Sequence, residues 1–387
     1  MISGEVRMYH CGPTVYDYAH IGNLRAYVFA DILRRTFEYW DFKVKQVINI
    51  TDIGHLASDA DTGDDKMIKG LKRDGLPLTL DGLKQLTDKY EKVFKDDLDT
   101  LNIRKPHHFP RATDYLKQEI ELIRRLEEKG YTYKIRDGIY FATGQVANYG
   151  KLGGLTPLSE GSARVDIDEK KSSRDFVLWK LSKDGHLGFE SPWGMGFPGW
   201  HIECSAMSRE LLGQPFDIHT GGIDHIPIHH NNEIAQSEMA YDTTLANFWL
   251  HNEFVNVVDG KMAKSEGNQI TLKTLVEHGS TPLAYRYFLL MAHYHTPVDF
   301  SWEALEAAQN AYQRLKKFTT GLPVAGTINK AYKNKFTEKL ENDLNTPQAL
   351  AIVWGLIKDT VVSPADKLTT IIDFDKVLGL GLQSSTL

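Results

Sequence analysis

The chain has 387 residues, 42% of them hydrophobic and 25% charged, the balance of a soluble globular protein too long for one ordinary core. No apolar run reaches the length of a membrane span and the N-terminus lacks a signal-peptide pattern, which favours the cytoplasm. The net charge of −6 disfavours a nucleic-acid binder that uses its whole surface, and two lone cysteines, Cys11 and Cys204, exclude a disulfide framework while leaving a thiolate metal site open.

A short apolar strand ends at Cys11. A loop with Gly12, Pro13 and Tyr16 then carries His20-Ile21-Gly22-Asn23 into a helix marked by Leu24, Val28 and Ile32 at i+4 spacing. Strand, polar loop and helix start aim free N–H groups at an anion; the plain alternative is an ordinary helix entry with a histidine near the cap. Residues 43–50 predict a second strand, so the unit is strand–helix–strand, as in a parallel nucleotide-binding sheet. Thr51 and Asp52 stand at its carboxyl end, either as substrate contacts or as a simple helix cap. The acidic run 59–65 reads as a surface loop, and Leu83, Leu86, Tyr90, Phe94, Leu98 and Leu101 trace a long amphipathic helix.

Pro106 and Pro110 mark a break. A helix over 114–129 is closed by Gly130, and 131–135 and 139–141 flank an Asp137-Gly138 hairpin signal. Residues 105–175 read as an insertion between two halves of one sheet domain. The run 174–180 predicts a return to the core sheet. A Gly/Pro-rich loop then delivers Trp200 and Cys204, with helix from 205 to 212, a strand over 216–219, a Gly-Gly turn with Asp224, and a helix over 228–237. Lys261 and Lys264, between Gly260 and Gly267, suit a clamp over a polyphosphate, or else a solvated charged loop. Leu305, Ala308, Tyr312 and Leu315 trace a helix, with others over 336–340 and 350–357. The resulting division is 1–104 and 176–254 as halves of a catalytic domain, 105–175 as the insertion, 255–300 as a stem-contact region and 301–387 as a helical bundle.

His229 and Glu233 share one face of their helix. Cys11 and Cys204 both read as strand ends in one sheet, and the four together form a donor set a Zn²⁺ site would use. Spacing alone also admits a buried apolar cysteine pair beside a solvated His–Glu pair, and His230 rivals His229.

The segments CGPTVYDYAHIGN, NITDI, SRDFVLWK, GWHIECSAMS, FDIHTGG, HHNNEIAQSE, KMAKSEGN and DLNTPQALA follow one another from position 11 to about 351. In wording and order they resemble the cysteinyl-tRNA synthetases of the class I aminoacyl-tRNA synthetase family. That resemblance implies an α/β fold: a Rossmann-like parallel sheet split by an insertion and followed by an α-helical bundle. It implies activation of L-cysteine by ATP, accompanied by Mg²⁺, to cysteinyl-adenylate and transfer to the 3′ end of tRNA(Cys). It also implies one Zn²⁺ per chain on Cys11, Cys204, His229 and Glu233, binding the substrate thiolate. Thr51 and Trp200 match amino-acid contacts and Asp224 a ribose contact; Gly12, His219 and Gly221 fall among the substrate and ATP contacts. His20, Asn23, Lys261 and Lys264 fall on the two signature motifs as catalytic residues. A cytoplasmic monomer with no membrane partner is expected.

Zinc accounts for selection physically, because cysteine and serine differ by one atom and a soft thiolate is the better ligand. Departures from the family wording are Ala263 for Ser, Gly54-His55 for acidic residues, and HIPIHHNN for LIFPHHEN. The family's anticodon-binding domain is expected to be missing, so tRNA would rest on its acceptor end and elbow. Arg314, Lys316, Lys317, Lys330, Lys333 and Lys335 would then supply phosphate contacts, or be an ordinary solvated face. The alternative functions are a mycothiol-type cysteine ligase with an amino-sugar acceptor, and an inactive paralogue that binds tRNA or cysteine.

Overall fold

A computed structural model describes residues 4–53, 66–153, 169–182, 187–257, 269–320 and 326–382. Lys261, Lys264 and the run 59–65 lie outside the described residues. Strand β1 (Glu5–His10), helix α1 (Ile21–Tyr39) and strand β2 (Lys43–Ile48) form the expected strand–helix–strand unit, with β1 and β2 parallel. His20 starts α1 through a reciprocal cap. Its Nδ1 accepts the Asn23 N–H at 3.2 Å, and the Asn23 side-chain oxygen accepts the His20 N–H at 3.3 Å. The stripe Leu24, Val28 and Ile32 is buried.

Helix α2 (Lys66–Asp74) leads to α3 (Leu80–Thr100), which is capped by the Thr79 hydroxyl and buries Leu83, Leu86, Tyr90, Phe94 and Leu98. Helix α4 (Leu116–Glu128) stops before Gly130, whose φ of 80° suits a residue without Cβ. The hairpin of β3 (Thr132–Ile135) and β4 (Gly138–Phe141) is antiparallel as read. Strand β5 (Phe176–Leu181) corrects the sequence reading. It does not return to the core sheet but pairs antiparallel with β4 and with β6 (Gly196–Pro198), so the sheet of the insertion runs to Pro198. A continuous apolar run fixes that a strand is buried, not which sheet buries it.

Helix α5 (Trp200–Leu212), strand β7 (Phe216–Gly222), helix α6 (Asn231–Tyr241) and strand β8 (Ala246–Asn252) complete the parallel sheet in the order β2-β1-β7-β8. The two chain halves therefore meet where β1 lies beside β7, and ligands of such sheets gather at the carboxyl ends of strands there.

Strand β9 (Val255–Val257), helices α7 (Leu272–Glu277) and α8 (Pro282–Leu290) and strand β10 (Val298–Phe300) lead into a bundle of α9 (Trp302–Thr319), α10 (Lys330–Glu341), α11 (Thr346–Lys358) and α12 (Pro364–Leu378). Ser301, Asn345 and Ser363 cap three of these helices, and Leu305, Ala308, Tyr312 and Leu315 face inward as expected. The bundle shares one core with α1 and α3. At that seam the wholly buried Arg286 donates to Leu378 O at 2.8 Å, Leu101 O at 3.0 Å and Asp31 Oδ2 at 2.6 Å. Asp31 also accepts from Arg35 Nε at 2.7 Å and the Arg104 N–H at 2.9 Å. Of the expected phosphate contacts, Lys333 is already paired, 3.2 Å from the buried Asp373, whereas Lys330 and Lys335 are exposed. Among the described residues no helix is long and apolar enough to cross a membrane.

Candidate metal centre and active site

Cys11 follows β1 directly, and its N–H donates to Thr220 O of β7 at 3.2 Å, which fixes it on the seam between the chain halves. Gly12 can only be glycine here, because a Cβ would fall 1.5 Å from Asn49 O. Cys204 does not end a strand, as the sequence had suggested. It lies in α5, which starts at Trp200 because Gly199 is extended and follows a proline. A single π turn, Ile226–His230, precedes α6 and brings His229, His230 and Glu233 to the same depth. One ligand atom from each of Cys11, Cys204, His229 and Glu233 then lies within 4.8 Å of every other, and all four residues are buried.

The electrostatics of this group are those of closely coupled neighbours. Burial would raise the Glu233 carboxyl, but His219 and His229 hold it well below the usual carboxylate range. Burial likewise works against a charged His229, yet the Glu233 charge and a contact with Cys204 bring it up to about 10. Cys204 is brought down to about 6, against the pull of burial, by its hydrogen bond with Cys11 and by His229. Burial and the neighbouring Cys204 push Cys11 well above an ordinary thiol.

A zinc ion fits these residues. The His229 Nε2 atom lies 2.7 Å from Glu233 Oε1 but off the hydrogen-bonding direction, so this buried atom has no hydrogen-bond partner among the described residues. Two sulfurs, a nitrogen and a carboxylate oxygen are a zinc donor set, and a dication would bind there by displacing protons from those donors.

A second group, Cys11, His219, His230 and Glu233, also converges within 4.8 Å. In it His230 Nε2 lies 3.3 Å from Cys11 Sγ. His219 Nε2 is 2.7 Å from Glu233 Oε2, and His230 Nδ1 is 2.8 Å from His251 Nε2. His229 likewise meets a second histidine, His201, through Nδ1 at 2.9 Å, and its Nε2 is the nitrogen left without a hydrogen-bond partner; a ligand histidine steadied through its other nitrogen is the usual metal-site arrangement.

The remaining expected site residues are spread over the same crevice. The Thr51 hydroxyl donates to Glu203 Oε2 at 2.7 Å, and the Trp200 ring lies 4.2 Å from that of His229. Asp224 is exposed at the rim. Gly221 leaves room for neighbouring rings, since a Cβ there would fall 2.6 Å from His225 Nδ1. His219, expected as a substrate or ATP contact, is fully buried beneath Glu233. At the start of α1 the anticipated free N–H groups are mostly taken, Ile21 N–H by Ile270 O at 2.9 Å and Asn23 N–H by His20. Asn49, His201, Glu203 and His251 had no role in the sequence reading. The first three sit inside segments whose wording carried the resemblance, but their partners are distant in sequence.

Residues 1–310 match the family profile "tRNA synthetases class I (C) catalytic domain", and residues 335–360 match the "DALR domain". The chain is 46% identical to "Cysteine--tRNA ligase 1" of Burkholderia lata over 98% of its own length and 81% of that protein. It is 42% identical to "Cysteine--tRNA ligase" of Treponema denticola over 98% and 82%. Among solved structures, methionyl-tRNA synthetase of Mycobacterium tuberculosis in complex with methionyl-adenylate has a TM-score of 0.62 at 16% identity, covering 97% of this chain and 90% of that one. This last likeness concerns the fold.

Proposed function

Because the chain belongs to the cysteine–tRNA ligase family of class I tRNA synthetases, we propose that Cys11, Cys204, His229 and Glu233 are its zinc ligands and that the crevice above them binds cysteine and ATP. The chain is a ligase that uses ATP to activate L-cysteine and joins it to tRNA(Cys). The observation that carries the site reading is the convergence of four ligand atoms, from positions 11, 204, 229 and 233, at the junction of β1 and β7.

Zinc bound there supplies a soft Lewis acid that accepts a thiolate and not a hydroxyl. Neither chemical step calls for a protein nucleophile, since the substrate carboxylate attacks the α-phosphate and the tRNA hydroxyl attacks the adenylate. The chain's own residues therefore bind, orient and exclude water. Trp200 covers the His229 side of the pocket and Asp224, at the rim, is placed for a ribose. Gly12 lets the backbone approach closely, and Gly221 keeps the pocket floor open. His20 and Asn23 hold the start of α1 toward the nucleotide. Lys261 and Lys264 are assigned to the leaving pyrophosphate on the family motif alone. His219 is reassigned as the residue that orients Glu233.

The test is cysteine-dependent ATP–pyrophosphate exchange, followed by charging of tRNA(Cys). Both should proceed, with serine failing in the first. Exchange without charging would favour the amino-sugar ligase, and no exchange would leave the inactive paralogue. A second expectation concerns tRNA docking. Charge reversal at Lys330 and Lys335 should raise the KM for tRNA and flatten its salt dependence, leaving cysteine-dependent exchange unchanged. Lys333 is left out because its reversal would set two carboxylates against each other at Asp373.

A further inference from the structure

The loop between Cys11 and His20 joins the metal centre to the start of α1, so whatever holds it sets how these two parts of the crevice face one another. Its ends are tied to the domain. Near the first, Thr51 N–H donates to Pro13 O at 3.0 Å and Val15 N–H to Thr51 O at 3.1 Å; just past the second, Ile21 N–H donates to Ile270 O at 2.9 Å. Between them the chain turns on itself, with Tyr16 N–H on Thr14 O at 3.1 Å and Tyr18 N–H on Asp17 Oδ1 at 2.8 Å. Such local bonds shape a turn without fixing where it lies.

Arg73, in the last turn of α2, fixes it. Its Nη2 donates to Tyr16 O at 2.7 Å, and its Nη1 lies 2.6 Å from Asp17 Oδ2. The guanidinium is itself held from behind. Nε donates to Asp74 Oδ1 at 2.8 Å and Nη2 to the Tyr90 hydroxyl at 2.6 Å, and that hydroxyl donates to Asp74 Oδ2 at 3.0 Å. Gly70, three residues earlier on the same face of α2, lets the helix approach the loop, since a Cβ there would fall 3.0 Å from Tyr16 O. The Tyr18 ring meets the Tyr90 ring edge-on at 5.1 Å. With 40% of its side chain exposed, Arg73 adds little to global stability through such ion pairs. Its planar fork, spanning a carbonyl and a carboxylate, is suited instead to setting position.

We propose that Arg73 is a positioning residue for the nucleotide: by locking the loop onto α2 and α3 it places His20 and the start of α1, and so governs ATP while leaving cysteine at the metal untouched. This rests on the reading of His20 as a residue on the nucleotide side and deepens it, with Tyr16 and Asp17 as the points through which Arg73 acts.

Two readouts on zinc-loaded protein test it: ATP binding by equilibrium dialysis, which needs no turnover, and kcat/KM for ATP in cysteine-dependent pyrophosphate exchange. Arg73→Met keeps the apolar stem; it should weaken ATP binding about 10-fold and lower kcat/KM for ATP about 10–100-fold, since a displacement of about 1 Å can cost about 100-fold. Cysteine binding without ATP, zinc content and melting temperature should stay as they are. Arg73→Lys, a point charge without the fork, should recover only part of the loss. Asp17→Asn, an isosteric exchange at the turn, should show the same pattern at smaller size and carries the test if Arg73→Met folds poorly. The deciding measurement is coupling. Because Arg73 acts through His20, Arg73→Met added to His20→Ala should cost less than about 2-fold more, whereas a merely structural role would multiply the two losses. ATP binding unchanged in Arg73→Met, equal weakening of ATP and cysteine, or losses that multiply would overturn the proposal. Absent pyrophosphate exchange in the unaltered protein would instead refute the ligase reading, with dialysis still deciding the role of Arg73.

Discussion

Cys204→Ser is expected to release zinc and to lower cysteine-dependent pyrophosphate exchange by more than about 100-fold, since even partners outside the metal's own ligands commonly cost about 10–100-fold. The fold should survive. Cys204 lies in the middle of α5, packed with Tyr9, Met207 and Ile234, and a hydroxyl is smaller than the thiol it replaces. Its buried proton also has an acceptor within reach, because the thiol already points at Asn49 Oδ1 from 3.7 Å. Melting temperature at saturating chelator should therefore be nearly the same for variant and unaltered protein, while bound zinc and exchange fall together. Full exchange by a zinc-free Cys204→Ser protein would contradict the mechanism.

Arg286→Met should destabilise the chain by about 3–5 kcal/mol, the usual penalty for leaving one partner of a buried ion pair alone. Removing the guanidinium strands Asp31, and it also frees the carbonyls of Leu101 and Leu378, which tie α3 and α12 to α8. The pH dependence has a defined sign. Burial acts to raise the Asp31 carboxyl, but Arg286, Arg35 and the Arg104 N–H more than offset it and hold it below its ordinary value. Its contribution is therefore present above the unfolded value of about 3.9 and lost as pH falls through the lower folded value. The stability gap between the unaltered protein and Asp31→Asn, measured by urea unfolding, should be level near neutrality and shrink below about pH 4. A gap that widens in acid would show that Asp31 is not the anionic partner.

The first strand–helix–strand unit, the α3 stripe and the Asp137-Gly138 hairpin were legible because each is set by local chemistry: a periodic apolar face, a cap, a turn dipeptide. The partner sheet of β5 was not, because its leading run FVLW is continuously apolar and carries no period that distinguishes one sheet from another. The start of α5 was missed for a related reason. The loop before Trp200 is rich in Gly and Pro, and nothing in the letters says that Gly199 is where helix begins. The proposed metal ligands were named from family wording, since no spacing rule joins positions 11 and 204. The polar contacts that steady them, His201 on His229 and Asn49 on Gly12, arise only when distant segments cross.

The pairing of β1 with β7 has a consequence for synthesis. Partners such as Cys11 and Glu233 stand 222 residues apart, which at about 5–20 residues per second is an interval on the order of 10–40 s on the ribosome. Through most of that interval, until Cys204 is made 193 residues after Cys11, β1 has β2 as a neighbour but lacks β7, and Cys11 has none of the other three proposed ligands. A nascent chain stopped before α5 should hence show no high-affinity zinc uptake, and its thiol should react freely with alkylating reagents. With the proposed ligands, metal capture would be a late checkpoint in biogenesis, reached only once the second half of the sheet has emerged.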